Sequence, residues 1–311
     1  MKNKLVTVIG GGGFLGRYVA QALLARETRL RVAQRDPRAA WFLKPLGTFG
    51  NVQFVGADVA KPETIAHAIA GSEAVVNLVG ILSGNFARVH VEGARVVAEA
   101  ARAAGVETLV HVSAIGADPG SASAYGRSKG EGEAAVRKAF PQATILRPSI
   151  VFGREDAFLN RFASMIASAP VVPVLRAQTR FQPVFVGDVA EAVATAIADP
   201  ELAAGKTFEL GGPDVMTMGA LMRWIALAIG RTPTFLELPD SIGGLIASAG
   251  ALPGAPITKD QWKMLQHDNV VGPAAVGFAD LKISPTPLDA VAPSWLVSYR
   301  RKGRFGARAA A

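Results

Sequence analysis

Short apolar runs alternate with longer amphipathic stretches through the first half of the chain. Residues 5–9 form the first such run, and residues 17–24 follow it with apolar positions at helical spacing. Further apolar runs of strand length occur near residues 30–34, 52–55, 74–79, 109–113 and 144–147. Helical patterns separate several of them, near residues 62–70, 86–104 and from 125 onward. Repeated strand–helix alternation is typical of α/β proteins, so we predict a doubly wound parallel sheet.

The pattern changes beyond Ile150, where the alternation weakens and prolines accumulate. We therefore predict a larger domain over residues 1–150 and a smaller C-terminal α/β lobe over residues 151–311. Some later chain must return to the first sheet, and residues 182–189 have the best pattern for it. We place that return segment near residues 181–200.

A glycine-rich turn separates the first predicted strand from the first predicted helix, and it matches the dinucleotide fingerprint Gly11-x-Gly13-x-x-Gly16. Backbone N–H groups and the helix dipole favour an anion there, and glycine lets a pyrophosphate approach the backbone closely. We therefore predict that residues 1–150 form a Rossmann-type NAD(P)-binding domain, the alternative being a tight turn without a ligand. The predicted contacts of this turn with the dinucleotide are Gly10, Gly12, Gly13, Phe14, Leu15 and Gly16.

The second predicted strand ends at Gln34, where domains of this kind recognise the adenosine ribose. An acidic residue there binds the 2′-hydroxyl of NAD, whereas a basic residue pairs with the 2′-phosphate of NADP. Gln34 is neutral, and the guanidinium groups of Arg35 and Arg38 suit a phosphate. We therefore predict that Gln34, Arg35 and Arg38 bind NADP(H) in preference to NAD(H). The alternative is that Asp36 binds the ribose while both arginines face water.

Asp58 and Val59 follow the third predicted strand. The Asp58 carboxylate can accept a hydrogen bond from the adenine amino group while the next backbone N–H donates to the ring. The alternative is that Asp58 caps the helix that starts near Pro62, since aspartate is common just ahead of a helix. Both interpretations remain open from the sequence.

Tyr125 and Lys129 lie four residues apart after the fifth predicted strand and share one face of a predicted helix. A free tyrosine titrates near pH ~10, and an adjacent ammonium group stabilises the phenolate and lowers that pKa. The same lysine can hold the nicotinamide ribose. Ser113 ends the fifth strand and could donate to a substrate carbonyl, so we predict these three residues as catalytic. Three other serines are close in sequence, namely Ser121, Ser123 and Ser128.

Composition narrows the chemistry further. The chain has no cysteine and only four scattered histidines, so we predict no metal site. The formal net charge is +8, and residues 299–311 hold five basic residues and no acidic one. Such a tail suits an acidic partner or an anionic lipid surface, the alternative being a frayed, solvated terminus. There is no helix-turn-helix pattern or aromatic–basic ladder, so we predict no nucleic-acid partner.

These motifs together resemble the extended or atypical short-chain dehydrogenases/reductases, which include the NAD-dependent epimerases and dehydratases. The motifs that carry the resemblance are Gly10-x-x-Gly13-x-x-Gly16, Tyr125-x-x-x-Lys129 and residues 146–153 and 182–190. The resemblance implies that Asn77, Val79 and Gly80 line the middle of the cofactor and that Pro148 and Ser149 lie near the nicotinamide. The family often has asparagine where this chain has His90. This departure concerns the proton relay that the resemblance implies behind Tyr125 and Lys129.

A narrower resemblance lies in the second half, at residues 205–213, 268–271 and 292–300. These segments are similar to the branch that contains the nucleotide-binding accessory subunit of respiratory complex I and its bacterial relatives. The resemblance implies a tightly held NADP(H) and an accessory or assembly role, with complex I subunits or assembly factors as partners, or a link to ubiquinone metabolism. Because Tyr125 and Lys129 are present, the alternative is an active reductase, epimerase or dehydratase. Its substrate would be a small carbonyl compound, a nucleotide sugar or a quinone-like molecule.

Residues 241–258 carry apolar side chains at helical spacing and little charge. They predict a helix that lies on an anionic membrane surface or a partner subunit, the alternative being a core helix of the smaller lobe. The aromatic and basic ending over residues 295–308 could anchor at the same headgroups. The first predicted strand leaves no room for a targeting peptide, and no run is apolar enough to span a bilayer. We therefore predict a cytoplasmic protein, peripheral on the cytoplasmic face of the inner membrane.

Overall fold

The computed structural model describes residues 1–47, 50–250 and 257–305. Within them, the strands are β1 (Leu5–Ile9), β2 (Arg29–Gln34), β3 (Val52–Gly56), β4 (Ala74–Asn77), β5 (Thr108–Val112), β6 (Thr144–Pro148), β7 (Val151–Phe152), β8 (Val171–Leu175), β9 (Arg180–Phe181), β10 (Val184–Phe185), β11 (Thr207–Leu210), β12 (Met216–Thr217) and β13 (Thr234–Leu238).

The helices of the described residues include segments that are not α-helical. One is a π-helical turn (Ala87–Glu92), and the others are 3-10 helices (Pro37–Leu46, Phe278–Leu281, Val297–Tyr299 and Gly303–Phe305). The α-helices of the described residues are α1 (Phe14–Leu24), α2 (Pro62–Ile69), α3 (Gly93–Ala103), α4 (Ala124–Ala139), α5 (Phe158–Ser168), α6 (Val186–Ala198), α7 (Pro200–Ala203), α8 (Met218–Ala228), α9 (Asp240–Ser248), α10 (Lys259–Leu265), α11 (Leu288–Val291) and α12 (Pro293–Leu296).

Seven of the described strands form one parallel sheet in the order β11-β6-β5-β4-β1-β2-β3. The register pairs Val6 of β1 with Leu30 of β2 on one side and with Ala74 of β4 on the other. All five residues of β1 are buried, as expected for a central strand with helices over both faces. This is the strand order of a doubly wound Rossmann sheet with a seventh strand beside β6, which confirms the predicted fold class.

The chain divides into two compact units. Unit 1 comprises Met1–Pro148, Val186–Leu210 and Val271–Ser284. Unit 2 comprises Ser149–Phe185, Gly211–Val270 and the described residues from Pro285 onward. The chain re-enters unit 1 as α6, and β11 then supplies the seventh strand, which the sequence pattern did not predict.

The helices of unit 1 pack in two groups. Helix α1 lies against α6, whereas α2, α3 and α4 pack one against the next. Ile9, Val75 and Leu109 of the sheet share a buried cluster with Ile65 of α2 and Val97 of α3. The apolar face of each helix therefore builds the core, as the helical spacing predicted.

The segment between β4 and β5 departs from the continuous helix predicted near residues 86–104. The described chain first forms the π-helical turn and then continues directly as α3. π-Helical turns are rare and are frequent at functional sites. His90, which lies inside this turn, is buried.

Unit 2 contains short strand pairs instead of one sheet. Strands β7 and β10 pair in parallel, as do β8 and β13, while β9 and β12 pair antiparallel. Helices α5 and α8 pack together, and the core includes Phe152, Leu159, Val172, Leu221 and Trp295.

The apolar helix predicted over residues 241–258 corresponds to α9 as far as Ser248, and residues 251–256 lie outside the described residues. Gly243 is buried against the Trp262 ring of α10. Leu245 is 73% exposed and Ile242 is 43% exposed, so the opposite face of α9 is open. None of the described helices combines the length and the hydropathy needed to cross a bilayer.

Candidate functional site

The turn between β1 and α1 folds back sharply against the sheet. Gly10 has a φ of +81°, which favours glycine, and its N–H donates to the carbonyl oxygen of Ala33 at 2.7 Å. A Cβ on Gly16 would lie within 3.0 Å of the backbone of Gly11, so only glycine lets α1 start this close to the turn. The structure thus gives Gly16 a role in packing that was not predicted from the sequence.

The outer side of the same turn is open. Among the described residues, a Cβ on Gly13 would meet only the Gly10 carbonyl oxygen, at 3.4 Å. Gly13 is the N-cap residue of α1, and within the same described part of the chain no side chain caps this helix. Its first turn begins with the half-buried Phe14 and Leu15. An uncapped helix N-terminus reached through an open glycine suits a phosphate.

The end of β2 lies directly beside this turn. The Gln34 side chain occupies the space that a Cβ on Gly12 would need, and its Nε2 donates to the Asp36 carbonyl oxygen at 2.6 Å. The Asp36 carboxylate caps the 3-10 helix by accepting from the Arg38 N–H at 3.0 Å. The side chains of Arg35 and Arg38 are exposed.

Asp58 forms a local turn after β3. Its Oδ1 accepts from the Ala60 N–H at 3.0 Å, and its own N–H donates to the Thr64 hydroxyl at 2.9 Å. The N-cap residue of α2 is Lys61, so the interpretation of Asp58 as that cap is wrong. Val59 packs against α3, where a Cβ on Gly93 would touch it.

The loop after β4 is fixed by the buried Asn77. Its Oδ1 accepts from the Val79 N–H at 3.1 Å, so its Nδ2 donates to Nδ1 of His111 at 3.2 Å. Val79 in turn lies against Gly10, because a Cβ built on Gly10 would be 3.3 Å from the Val79 Cγ2 atom. The structure therefore brings the loop of Val79 and Gly80 next to the glycine turn.

Ser113 and the end of the Lys129 side chain both lie at the carboxyl end of β5. Lys129 of α4 is buried, and its Nζ donates to the Val112 carbonyl oxygen at 2.9 Å. The Ser113 Oγ is buried and has no hydrogen-bond partner among the described residues. A buried hydroxyl without a partner costs free energy, so this position suits a ligand atom.

Tyr125 lies one helical turn before Lys129, and burial dominates the electrostatics of both. Burial lowers the pKa of Lys129 to about 8, against the opposing effect of Glu133. Burial also raises the pKa of Tyr125 to about 12. This direction is opposite to the lowering that the sequence suggested, because desolvation of the phenolate dominates. The protonated phenol can donate a hydrogen bond at neutral pH.

His90 extends the polar contacts of Tyr125. Its Nε2 lies 3.0 Å from the Ile81 backbone nitrogen, and its Nδ1 lies 2.9 Å from the Ser128 Oγ. The Ser128 hydroxyl donates to the Tyr125 carbonyl oxygen at 2.8 Å. Burial, followed by the charge of Lys129, lowers the pKa of His90 to about 4. The sequence marked His90 only as a departure from the family, and its contacts could not be foreseen.

Pro148 is the last residue of the first segment of unit 1, and Ser149 is the first residue of unit 2. Pro148 ends β6, is buried, and accepts from the Ile115 N–H at 3.0 Å. Ser149 begins unit 2, where its hydroxyl donates to Asn269 Oδ1 at 2.6 Å. The Asn269 Oδ1 also accepts from the Ile150 N–H, so Asn269 holds the start of this segment of unit 2 in place.

The residues of unit 1 fit a dinucleotide on three observations of this structure: the open Gly13, the uncapped α1 and the unpartnered Ser113 Oγ. The comparisons agree. The model of the NAD dependent epimerase/dehydratase family matches residues 6–211. The chain belongs to this family.

Two curated relatives align with most of the chain of this epimerase/dehydratase family member. The mitochondrial NADH dehydrogenase [ubiquinone] 1 alpha subcomplex subunit 9 of Mus musculus is 36% identical, over 92% of the chain and 78% of the relative. Ceramide reductase of Caulobacter vibrioides is 33% identical, over 85% of the chain and 80% of the relative.

A solved structure shows the same fold. The NADPH-dependent quinone oxidoreductase of Escherichia coli, solved with NADPH, has a TM-score of 0.76 at 21% identity. The match covers 94% of this chain and 99% of that one. The fold is therefore an NAD(P)-binding one.

Proposed function

We propose that this protein is an accessory or assembly subunit of NADH:ubiquinone oxidoreductase, or acts in ubiquinone-related metabolism, and holds NADP(H) tightly in unit 1. The observation that carries the proposal is the 36% identity to the mouse NADH dehydrogenase subunit across nearly the whole chain. The open glycine turn at the N-terminus of α1 supports the nucleotide part.

The decisive experiment is gentle purification of the full chain, denaturation, and identification of any released nucleotide and its redox state. Near-stoichiometric NADPH that resists exchange supports the accessory role. A pocket that is empty or exchanges freely contradicts it. Pull-down from the native host with a tagged chain should also recover complex I subunits or assembly factors, and recovery of none would count against this partner.

We assign the nucleotide contacts as follows. The glycine turn would hold the pyrophosphate, Asp58 and Val59 the adenine, and the loop from Asn77 to Gly80 the middle of the cofactor. Lys129 would hold the nicotinamide ribose, with Pro148 and Ser149 near the nicotinamide. When bound, the dinucleotide would supply or accept a hydride. The chain would orient it and keep the buried side of the ring dry.

Arg35 and Arg38 are the proposed recognition residues for a 2′-phosphate. Both side chains are exposed beside the glycine turn, whereas the Asp36 carboxylate is engaged at the start of the 3-10 helix. A guanidinium–phosphate pair is a charge-assisted hydrogen bond. This arrangement supports a preference for NADP(H) over NAD(H).

Replacing Arg35 and Arg38 with alanine should weaken NADPH binding by roughly tenfold or more, because charge-assisted hydrogen bonds contribute about 1.5–3 kcal/mol. The Kd for NADH should stay unchanged, since NADH lacks the 2′-phosphate. Titration calorimetry of both cofactors measures this, with Arg102→Ala in the last turn of α3 as a control for the loss of an exposed arginine elsewhere in unit 1. Tighter binding of NADH than of NADPH by the unmodified chain would refute the preference.

We also propose that the open face of α9 and the basic ending of the chain contact an anionic membrane surface on the cytoplasmic side. The exposed Ile242 and Leu245 support this, as does the basic composition of residues 299–311. Flotation with phosphatidylglycerol-containing liposomes should weaken when both side chains become serine and when residues 299–311 are removed. Equal flotation of all three proteins would contradict the proposed membrane contact of α9 and the basic ending.

A second candidate function is that of an active reductase. The unpartnered Ser113 Oγ, the protonated Tyr125 and the buried Lys129 favour it, and so does the similarity to the Caulobacter ceramide reductase. Ser113 and Tyr125 would donate hydrogen bonds to a carbonyl oxygen and Tyr125 would deliver the proton. NADPH oxidation with small carbonyl, nucleotide-sugar and quinone substrates tests this. Unchanged turnover in Tyr125→Phe would end this mechanism.

A further inference from the structure

His90 joins two elements that carry proposed cofactor contacts. On one side, Ile81 lies at the end of the loop that holds Val79 and Gly80 against the glycine turn. On the other side, Ser128 lies in α4 between Tyr125 and Lys129. The imidazole is buried at 2% exposure and contacts both through its two ring nitrogens.

The hydrogen bond to Ile81 fixes one tautomer of His90, and the contact with Ser128 agrees with it. The Ile81 backbone nitrogen can only donate, so Nε2 must accept. The Ser128 hydroxyl donates its single proton to the Tyr125 carbonyl oxygen, and with the proton placed there its oxygen accepts from Nδ1–H. A neutral imidazole with the proton on Nδ1 satisfies both ends. The other tautomer would set its Nε2–H against the Ile81 N–H, and its Nδ1 would need the proton that Ser128 donates to the Tyr125 carbonyl oxygen.

We propose that His90 is a positioning residue that transmits dinucleotide binding from the loop after β4 to the helix carrying Tyr125 and Lys129. The transmission rests on the proposed dinucleotide binding. The path runs from Gly10 through the Val79 side chain and the Ile81 N–H to His90 and then through Ser128 to the Tyr125 backbone. Ordering the loop on the cofactor would therefore also order the start of α4.

Two substitutions of His90 each remove one of its two hydrogen bonds and keep the other. An asparagine amide reaches the position of Nδ1 and a glutamine amide that of Nε2, because of their side-chain lengths. His90→Asn should therefore keep the bond to Ser128 and lose the one to Ile81. His90→Gln should keep the bond to Ile81 and lose the one to Ser128. The exposed His67→Asn serves as the matched control.

The first measurement is the ¹⁵N spectrum of the histidine-labelled full chain, which distinguishes protonated from unprotonated ring nitrogens. We expect one slowly exchanging Nδ1–H imidazole that disappears in both His90 variants and persists in His67→Asn. An Nε2–H tautomer, or rapid averaging between tautomers, for the imidazole whose signal the His90 variants lose would overturn the proposal. The buried His111, whose Nδ1 accepts from Asn77, should keep a separate Nε2–H signal in every variant. This readout does not require cofactor binding.

The second measurement is hydrogen exchange of the peptides around residues 78–84 and 120–130, with and without saturating NADPH. In the unmodified chain, NADPH should slow exchange in both peptides by several-fold. In both variants it should protect only the first. Equal protection of the second peptide in all proteins would overturn the transmission. If the unmodified chain binds neither NADPH nor NADH, the proposed function fails, and so does the coupling of dinucleotide binding to α4 through His90. The ¹⁵N spectrum still tests the two hydrogen bonds of His90 in that case.

Discussion

At the scale of single residues, the glycines of the turn have separable roles. Gly16 is required by the fold itself, because a side chain there would strike the backbone of Gly11. Gly13 has ordinary backbone angles, with φ of −79°, and open space beside it. A methyl group at Gly13 would make an ordinary contact with the Gly10 carbonyl oxygen at 3.4 Å and would otherwise point into the space proposed for the ligand. Gly13→Ala therefore distinguishes binding from folding.

Gly13→Ala should leave the free energy of unfolding within about 1 kcal/mol of the unmodified value, since glycine is only a moderate N-cap residue. It should weaken NADPH binding by about tenfold or more, because the methyl group stands between the backbone and the pyrophosphate. Urea unfolding and titration calorimetry measure the two effects. Gly16→Ala is the contrasting variant and should lose about 3 kcal/mol of stability through overpacking. Normal NADPH binding by Gly13→Ala would contradict the phosphate site.

The buried Lys129 gives the protein an unusual pH dependence. Its pKa is about 8 in the folded state and 10.5 in a model compound, so between these values the unfolded chain binds the extra proton. The free energy of unfolding should therefore rise by about 2 kcal/mol from pH 8 to pH 10. Urea unfolding should show this rise in the unmodified chain and in the exposed control Lys61→Met, but not in Lys129→Met. An equal rise in Lys129→Met would mean that another group titrates.

The sequence predicted local features better than long-range partners. The spacing of Gly10, Gly13 and Gly16 was enough to predict a turn between the first strand and the first helix. The link from His90 to Ile81 depends on how a π-helical turn meets a loop, which no local spacing encodes. The pKa of Tyr125 was expected to fall and is raised instead, because burial cannot be read from the i, i+4 spacing.

At the scale of elements, a partly buried ion-pair network joins α4, β6 and β11. Arg147 of β6 contacts the buried Glu133 carboxylate through Nε at 2.9 Å and through a terminal guanidinium nitrogen at 2.6 Å. A longer ion pair of 3.5 Å links Arg147 to Glu209, which also accepts from the Gly272 N–H at 2.9 Å. These contacts tie the late strand β11 to the sheet of the N-terminal segment.

Arg147→Met should destabilise unit 1 by about 3–5 kcal/mol, because it leaves the Glu133 carboxylate buried without its partner. Adding Glu133→Leu in the same chain should recover most of this loss, since the uncompensated charge is then gone. Chemical unfolding of the single and double variants measures both. Arg95→Met removes an arginine from exposed pairs and should cost less than about 1 kcal/mol. A double variant as unstable as Arg147→Met would contradict this account.

The element boundaries were predicted closely in the first half of the chain. The six predicted strands match β1 to β6 within two residues. The largest difference is at β4, which ends at Asn77 because the Asn77 side chain accepts the Val79 N–H and turns the chain. In the second half, β8 and β13 pair across about sixty residues, and such distant pairing leaves no local pattern.

At the scale of the whole molecule, the chain passes between the two units five times, and unit 1 consists of three separate segments. The middle segment supplies α6, whose Val189, Val193 and Ile197 are almost fully buried. Each such side chain contributes about 1.5–3 kcal/mol on burial. Their sum is comparable to the net stability of a domain, about 5–15 kcal/mol.

A fragment of residues 1–148 should therefore fail to fold, although it contains every glycine of the turn and both Tyr125 and Lys129. It lacks α6, which packs against α1, and β11, which pairs with β6. Circular dichroism, thermal unfolding and NADPH binding of the fragment, compared with the full chain, measure this. A cooperative thermal transition together with NADPH binding in the fragment would contradict the expectation.

The π-helical turn around His90 has a consequence for comparing this chain with its relatives. Such a turn accommodates one more residue than an α-helical turn over the same stretch. A relative that lacks this residue would have its upstream part rotated by about 100° against α3, which brings a different side chain to the loop. Residues in this region should therefore be compared by the contacts that they make in each structure. A sequence alignment alone can pair His90 with a residue that occupies a different place in the relative.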